Sequence, residues 1–521
     1  MEYKYYLAQL DKEEAGLYSF VYSQINARTN SFYVKASVDS IHKIIKSVLL
    51  DNPELYWFEG KWNGEKENEG IRVFPKYKER ENYQEICISI ENILVDFLQC
   101  CKGSEVERIK LVYDWIVQNI QYSYSDNDQT IEGALVEKRA VCKGIAKTFQ
   151  LMMNRMAIPS YLMEGTIDGL IPHIWNVVYI NNQFYHIDVT MGYEMFASLF
   201  AGLNRNKHYP CFLVSDKTIA ETHKMYNENF PLCGFDFDID DFLVQLLCVP
   251  REFDRYGKLK YLDKGSTCTV FGAFHLNSRY VLKVVAAYNN PEMFRGACLE
   301  LEKLKMLAHC QGITKLVDSV ISEDNVSVYM LMHYYKPLTI RRKETGFDSV
   351  KHTLLLGVDL LNAMINCRNR GIYHLDIQPK NIYFDENDRA VLGDFSGAIF
   401  DKELKSLKPK RGTLAFMAPE VYSAGDYGQT SEIYSLGIVL YSLLNNAKLP
   451  FADSNNFNVA MRIRLDGTEI PRPGHCETDI WECIRKMCVF NPSDRYQTYE
   501  DVKEDLERLF YKRYKKQLGE V

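Results

Sequence analysis

No Cys-x-x-Cys pair occurs among the 14 cysteines, and Cys476, Cys483 and Cys488 lack the spacing of zinc ligands. That excludes a disulfide framework or a structural zinc module, and leaves free, mostly buried thiols in a reducing compartment as the expectation. The chain also lacks any run of roughly 18 apolar residues, so no membrane-spanning helix is expected. Its first residues, MEYKYYLAQLDKEEAG, have no apolar core of the secretory kind, and a cytoplasmic chain is expected. Positive charge is not in excess: 62 Lys and Arg stand against 69 Asp and Glu, a net charge of −7. A nucleic-acid partner is therefore not expected. Repeats and low-complexity tracts are missing too, and a composition of 46% hydrophobic and 25% charged residues excludes a collagen, a coiled-coil rod and a disordered chain.

What remains is an ordinary globular composition, 46% hydrophobic and 13% aromatic, in 521 residues, long enough for three or four domains. IHKIIKSVLL (41–50) and IKLVYDWIVQNI (109–120) repeat apolar residues at helical spacing. GKWNGEKENEG (60–70) is polar and Gly-rich and reads as a hairpin tip or loop. From 140 to 190 a helix is followed by paired strands. A short helix closed by Pro250 follows, and a domain boundary is placed there. After 255 come the strands LKYLDKG, STCTVFGAF and RYVLKVV, and past about 350 the chain is mainly helical. The fold class is α+β, with a strand-rich lobe preceding a helix-rich lobe and a cleft between them.

Two constellations carry chemistry. In KRAVCKGIAKTFQLMMNRM, the apolar positions 145, 149, 152, 153 and 156 share one helical face, which puts Cys142 in the first turn. There the unpaired N–H groups and the dipole favour a thiolate. Gly144 is expected to keep the approach to the sulfur open. Downstream, PHIWNVVYI and QFYHIDVT flank Asn181-Asn182, a two-residue hairpin signal. If Ile180 faces Gln183, then His173 faces Thr190 and Asp188 faces Trp175. His173 and Asp188 are then diagonal neighbours on one sheet face. Cys142, His173 and Asp188 then read as nucleophile, general base and orienting carboxylate. His186 shares that face and competes with His173 for the role, and a single helix cysteine is also a common core residue.

The stretch from about 100 to 192 resembles the transglutaminase-like superfamily of papain-like cysteine enzymes. VCKGIA is similar to its Cys motif, PHIWNVV to its His motif and YHIDVTMG to its Asp motif, in the same chain order. The resemblance implies Cys142 as nucleophile, His173 as base and Asp188 as orienter. Residues 1 to 100 look like the variable N-terminal part of some members. Met191, where members often carry Trp, is expected to alter the wall of the site. The superfamily holds peptidases, amidases, transamidating enzymes and inactive relatives, so no substrate carries over.

The second constellation lies further on. HLDIQPKNIYF and GDFSG place Asp376, Asn381 and Asp394 on adjacent loops, where they could hold metal and accept a proton from an incoming hydroxyl. Lys283 in RYVLKVV could neutralise phosphate oxygens, and Glu300 in ACLELEKLKMLAH could pair with it.

Residues 255 to about 512 resemble a protein kinase domain of the eukaryotic-like Ser/Thr type. GTLAFMAPE (412–420) is similar to the end of an activation segment, and EIYSLGIVLY to the helix after it. The likeness implies a Lys283–Glu300 ion pair that orients phosphates, Asp376 as base, and Asn381 and Asp394 as Mg²⁺ ligands. It also implies Gly265 and Val270 as nucleotide contacts, Arg495 pairing with Glu420, ATP and Mg²⁺ as cofactors, and protein substrates. The pattern is broken at Asp263, Cys268, Leu375, Gln378 and Ser396, the last a change that still permits metal binding. Of the three loop glycines only Gly265 remains, with Asp263 and Cys268 at the others. Leu375 replaces an Arg, which puts switching by loop phosphorylation in doubt. Gln378 replaces a Lys, which removes a cation beside the transferred group.

The expected architecture is thus a papain-like transglutaminase core followed by a bilobal protein kinase fold. Residues 1–95 would form a variable subdomain, 96–235 the transglutaminase-like domain, 236–254 a linker, 255–512 the kinase domain and 513–521 a tail. The function expected is a protein kinase joined to a cysteine hydrolase or acyltransferase. Two alternatives stay open: a nucleotide-binding pseudokinase that regulates a thiol enzyme, or an active kinase with a non-catalytic N-terminal interaction module.

Overall fold

In the computed structural model the described residues are 4–78, 83–200, 203, 205–226, 230–265, 267–288, 290–347, 349–406, 411–452, 457–474 and 476–514. Most of the expected tail, 515–521, lies outside them. The chain forms two compact units, residues 1–242 and 243–521.

The first unit begins with helices Lys12–Asn26 and Val38–Asp51 on a three-stranded antiparallel sheet of order β1-β3-β2. Its strands are β1 (Phe32–Val34), β2 (Phe58–Glu67) and β3 (Gly70–Tyr77). Asp11 and Glu14 close a reciprocal capping box on the first helix. Ile41, Ile44, Ile45 and Val48 recur on one face of the second and are buried against Val21, Ile25 and Val73. The stretch 60–70, expected as a hairpin tip or loop, belongs to the β2–β3 hairpin: its tip is Asn68-Glu69 alone, and 60–67 continue β2 rather than forming a loop. β2 is an edge strand with an exposed face, which accepts the polar residues that suggested a loop.

Helix Glu105–Asn119 leads into two short strands, β4 (Gln121–Tyr122) and β5 (Arg139–Ala140), which pair in parallel and deliver the chain to helix Cys142–Arg155. That helix buries Ile145, Phe149, Met152 and Met153, the face expected from their spacing. It packs on an antiparallel sheet of order β8-β7-β6-β9. These strands are β6 (Ser160–Ile167), β7 (Ile171–Ile180), β8 (Gln183–Ile187) and β9 (His223–Met225). The β7–β8 register is the expected one, from Ile180 opposite Gln183 to Asn176 opposite Ile187. Asn181 and Asn182 both have positive φ, 49° and 61°, as a two-residue turn matching the strand twist requires.

Of residues 236–254, expected as a linker, 239–246 form a short helix. Beyond it the chain is fastened to the second unit. Tyr329 donates its hydroxyl to the carbonyls of Leu247 and Cys248, and Phe253 is fully buried.

The second unit opens with a five-stranded antiparallel sheet of order β10-β11-β12-β14-β13. The strands are β10 (Lys260–Lys264), β11 (Thr269–His275), β12 (Ser278–Ala286), β13 (Leu316–Ile321) and β14 (Ser327–His333). Helix Pro291–Met306 packs against β12 and β14. The rest is mainly helical, with two small sheets of short strands between 336 and 400, and is built around helix Gln429–Leu444, which is buried on almost every side. Among the described residues no helix is long and apolar enough to cross a membrane. All 14 cysteines are free, and seven of them are buried.

Candidate active sites

Cys142 is the first residue of its helix, preceded by Val141 in extended backbone with no side-chain cap. The helix N-terminus therefore lies beside the sulfur, with first-turn N–H groups that have no intrahelical partner. Gly144, expected to keep the approach to that sulfur open, is packed tightly on its own side. A Cβ there would stand 2.4 Å from the Asp128 carbonyl oxygen, so the glycine lets the helix close against the 128–140 segment.

His173 is buried on β7, opposite Gly165 of β6. Its Nε2 is 2.7 Å from Asp188 Oδ2, and the Cys142 sulfur lies within hydrogen-bond reach of the same ring. With Nε2 engaged by the carboxylate, Nδ1 is left for the thiol. Burial draws the imidazole pKa down, but the Asp188 charge and the hydrogen bonds the ring makes with Asp188 and Cys142 outweigh it and lift the value to about 10. Burial pushes Asp188 the other way, yet His173 and His223 hold its carboxyl well below the usual range. Sulfur, charged ring and carboxylate thus stand in a row.

Asp188 reaches this position differently from the sequence expectation. β8 ends at Ile187, so neither His173 with Thr190 nor Asp188 with Trp175 is a ladder pair. The chain turns at Asp188, whose Oδ1 accepts the Thr190 N–H at 2.9 Å and caps a 3-10 turn over Val189–Gly192. The carboxylate comes to His173 from beyond the end of the strand. Met191, expected to alter the wall of the site, is buried in one cluster with Trp175, whose ring stacks on that of His173.

His186 is not part of this row. Its Nδ1 accepts the Trp175 indole N–H at 3.1 Å, and its Nε2 is 2.8 Å from Asp216 Oδ1. An acceptor at Nδ1 fixes the proton on Nε2, which therefore donates to Asp216 and has no lone pair for the nearby Cys233 or for a metal. No motif or periodicity points to His223. It projects from β9, fifty residues beyond His173, and its Nε2 is 3.0 Å from Asp188 Oδ2.

In the second unit Lys283 of β12 lies opposite Val270 of β11. Its ammonium is 2.7 and 3.0 Å from the two oxygens of Glu300 and 3.0 Å from Asp394 Oδ1. Burial would lower the lysine, but Glu300 and Asp394 hold it charged, well above its ordinary value. Burial would raise Asp394, and Lys283 overrides it, holding the carboxyl at about 2.

Asp376 is fixed from three sides. Its Oδ2 accepts from Gln378 Nε2 at 2.7 Å and from Asn381 Nδ2 at 3.0 Å, and its Oδ1 accepts the Thr413 N–H at 2.8 Å. Gln378, read from the sequence as a lost cation, is here a donor to Asp376. Lys380 is exposed on a 3-10 turn. Asn381 Nδ2 also donates to the Asp376 carbonyl at 2.9 Å, which leaves Oδ1 as its outward acceptor. That amide oxygen and the Asp394 carboxylate form a hard oxygen set that fits Mg²⁺.

Leu375 and Asp394 both lie in the left-handed region, with φ of 63° and 58°. Such backbone persists only where the surroundings enforce it. Here the Leu375 N–H donates to Glu432 Oε1 at 2.8 Å, and the Tyr499 hydroxyl binds the other oxygen of that buried carboxylate. Glu432 opens the EIYSLGIVLY stretch, where nothing in the residue pattern marks its carboxylate for this role. Leu375 lines a small cavity whose wall mixes apolar Phe416, Met417 and Val421 with polar Asp376, Ser431 and Glu432. Gly265 donates its N–H to the Cys268 carbonyl at 2.8 Å. A Cβ at Gly265 would stand 3.4 Å from the Cys268 sulfur, in ordinary contact, so the protein itself does not demand glycine there. Arg495 grips Glu420 with two bonds of 2.6 and 2.9 Å and is almost wholly buried.

Comparison with known proteins bears on both units. The family described as "Protein kinase domain" matches residues 256–506, and the "Transglutaminase-like superfamily" matches residues 97–189. The chain is 25% identical over 180 residues to serine/threonine/tyrosine-protein kinase HT1 of Arabidopsis thaliana, covering 34% of this chain and 43% of that protein. It is 29% identical over 219 residues to serine/threonine-protein kinase ppk34 of Schizosaccharomyces pombe, covering 40% and 59%. An aurora kinase of Saccharomyces cerevisiae is 27% identical over 290 residues, covering 53% and 72%. The first of these matches span less than two thirds of the relatives' own length. The chain carries a protein kinase domain in its C-terminal half, with a transglutaminase-like domain before it.

Proposed function

We propose that the chain joins two enzymes: an ATP- and Mg²⁺-dependent protein kinase directed at serine or threonine, and a cysteine hydrolase or acyltransferase. The observation that carries the kinase half is the bridge from Lys283 to both Glu300 and Asp394. It holds a cation where nucleotide phosphates would lie and a carboxylate where metal would bind. Asp376 takes the proton of the incoming hydroxyl as that oxygen attacks the γ-phosphorus, and the bond to the bridging oxygen breaks. Bound Mg²⁺ would be held by Asn381 and Asp394 and would offset phosphate charge. The named kinase relatives support the same reading.

For the thiol half, the support is the row Cys142, His173, Asp188. The thiolate attacks an acyl carbon, His173 gives its proton to the departing amine, and a thioester forms. Water or a second amine then attacks that carbon, passing a proton back to His173 as the sulfur leaves.

The test has two arms. In the first, γ-phosphate transfer to the chain itself and to a generic protein substrate is measured for the wild type and Asp394→Ala. Transfer that is absent, or that survives the substitution, sinks the kinase half and leaves the pseudokinase reading. In the second, each cysteine is labelled with a thiol-directed probe. Cys142 labelling no faster than the other thirteen would leave the thiol half unsupported.

A further inference from the structure

The carboxylate of the thiol centre serves two rings. Asp188 Oδ2 is 2.7 Å from His173 Nε2 and 3.0 Å from His223 Nε2, and both imidazoles are buried. A carboxylate oxygen has two lone pairs, so both rings donate to it, each with its proton on Nε2. The two rings differ on their other side. His173 has the Cys142 thiol there, which can yield a proton. His223 Nδ1 is 2.8 Å from Thr222 Oγ1, a hydroxyl that donates to it and satisfies the neutral ring.

Charge placement follows from this difference. The ring centroids of His173 and His223 are 5.4 Å apart, too close for two buried cations. The groups that face His223 are Asp188, His173, Thr222, the Trp175 ring and, further off, His186. Burial, reinforced by His173 and His186, keeps His223 below its ordinary value despite Asp188. The positive charge is therefore confined to His173.

Placement of the carboxylate follows as well. Asp188 lies past the end of β8, where no ladder pair holds it. Its backbone N–H reaches the Cys211 carbonyl and one carboxylate oxygen caps Thr190. His223 supplies the tie from the opposite edge of the sheet. β9 comes close enough because β6 carries Gly165, where a Cβ would stand 2.2 Å from the Lys224 carbonyl and 2.8 Å from the Trp175 ring.

We infer that His223 is a positioning residue of the thiol centre: as a neutral donor it holds Asp188 toward His173 and keeps the positive charge on the ring that faces Cys142. This inference rests on the thiol function proposed above. Without His223, a fully buried carboxylate loses one of its few donors and supports the imidazolium less, so the thiolate retreats to higher pH.

The experiment follows iodoacetamide labelling of Cys142 in the full chain, peptide by peptide, across pH. His223→Leu keeps the bulk without the donor, and His223→Gln puts an amide N–H near the place of Nε2. The acid limb is expected to move up by on the order of one pH unit in the leucine variant, and to stay within about 0.3 unit of wild type in the glutamine variant. Leucine and glutamine behaving alike would overturn the inference. Imidazole ¹⁵N spectra of the resting chain form the second measurement. They are expected to show His223 neutral with its proton on Nε2, and His173 losing its proton at lower pH in His223→Leu. A charged His223 at pH 7, or an unchanged His173 titration, overturns the inference however Cys142 reacts. Slow, ordinary labelling of wild-type Cys142 counts instead against the thiol function, and the spectra still decide the role of His223.

Discussion

Gln378 donates its side-chain N–H to Asp376 at 2.7 Å, so a residue that resembles a loss in the sequence is a support in the structure. The amide aims the carboxylate without adding charge. Gln378→Ala should lower kcat for phosphoryl transfer by on the order of tenfold, through misplacement of the base. Gln378→Lys keeps a donor and adds a cation beside the transferred group, so its kcat should equal or exceed wild type. A steady-state assay of the three proteins decides this. Equal rates for alanine and wild type would mean that the bond does no catalytic work.

The Lys283 ammonium pairs with two carboxylates at once, and the Lys283–Glu300 pair is buried. Lys283→Met should abolish measurable transfer and also destabilise the second unit by about 3–5 kcal/mol, because Glu300 is left uncompensated. Lys283→Met/Glu300→Leu should recover much of the stability and none of the activity. Thermal unfolding beside a transfer assay separates the two effects. Restored activity in the double variant would contradict the role given to Lys283.

Arg495 and Glu420 form a purely structural pair, far in sequence and tightly joined, with no accessible surface left on the arginine side chain. Arg495 also donates to the carbonyls of Val489, Phe490 and Thr430. Glu420→Ala should therefore cost about 3–5 kcal/mol in denaturant unfolding of the second unit. Residual transfer at low temperature should persist in that variant. A cost near zero would show the pair to be replaceable by water.

Stability of the first unit should depend on pH through His173. Its imidazole is held at about 10 against 6.5 when free. A group raised on folding adds stability that is fully present below 6.5 and is lost as pH climbs through 10. Asp188, depressed on folding, adds stability present above 3.8 and lost as pH falls below it. Urea unfolding of wild type should weaken between pH 6.5 and 10 by roughly a few kcal/mol more than that of His173→Gln. Parallel curves for the two proteins would refute the charged state assigned to the ring.

Much of this arrangement could be read from residue order. The two Asn between Val-Val-Tyr-Ile and Gln-Phe-Tyr-His fixed the β7–β8 register, because a strand period of two leaves few alternatives once the turn is known. The apolar face of 145–153 placed Cys142 at a helix start for a similar reason. What escaped is brought in by tertiary packing. His223 stands on a three-residue strand with no periodicity of its own, and Glu432 is one acid at the start of a buried helix. Asp188 was rightly paired with His173 but by a different path, since nothing in the local pattern announced that β8 stops one residue earlier. The polar run at 60–67 concealed a strand because an exposed edge imposes little on composition.

Position 165 carries no functional group, and its importance is one of volume. A single methyl there would claim space already filled by a neighbouring carbonyl and an indole ring. Accommodating it would prise β9 from the sheet and draw the second imidazole off its carboxylate. The thiol centre is thus vulnerable at a residue that a search for reactive side chains would pass over.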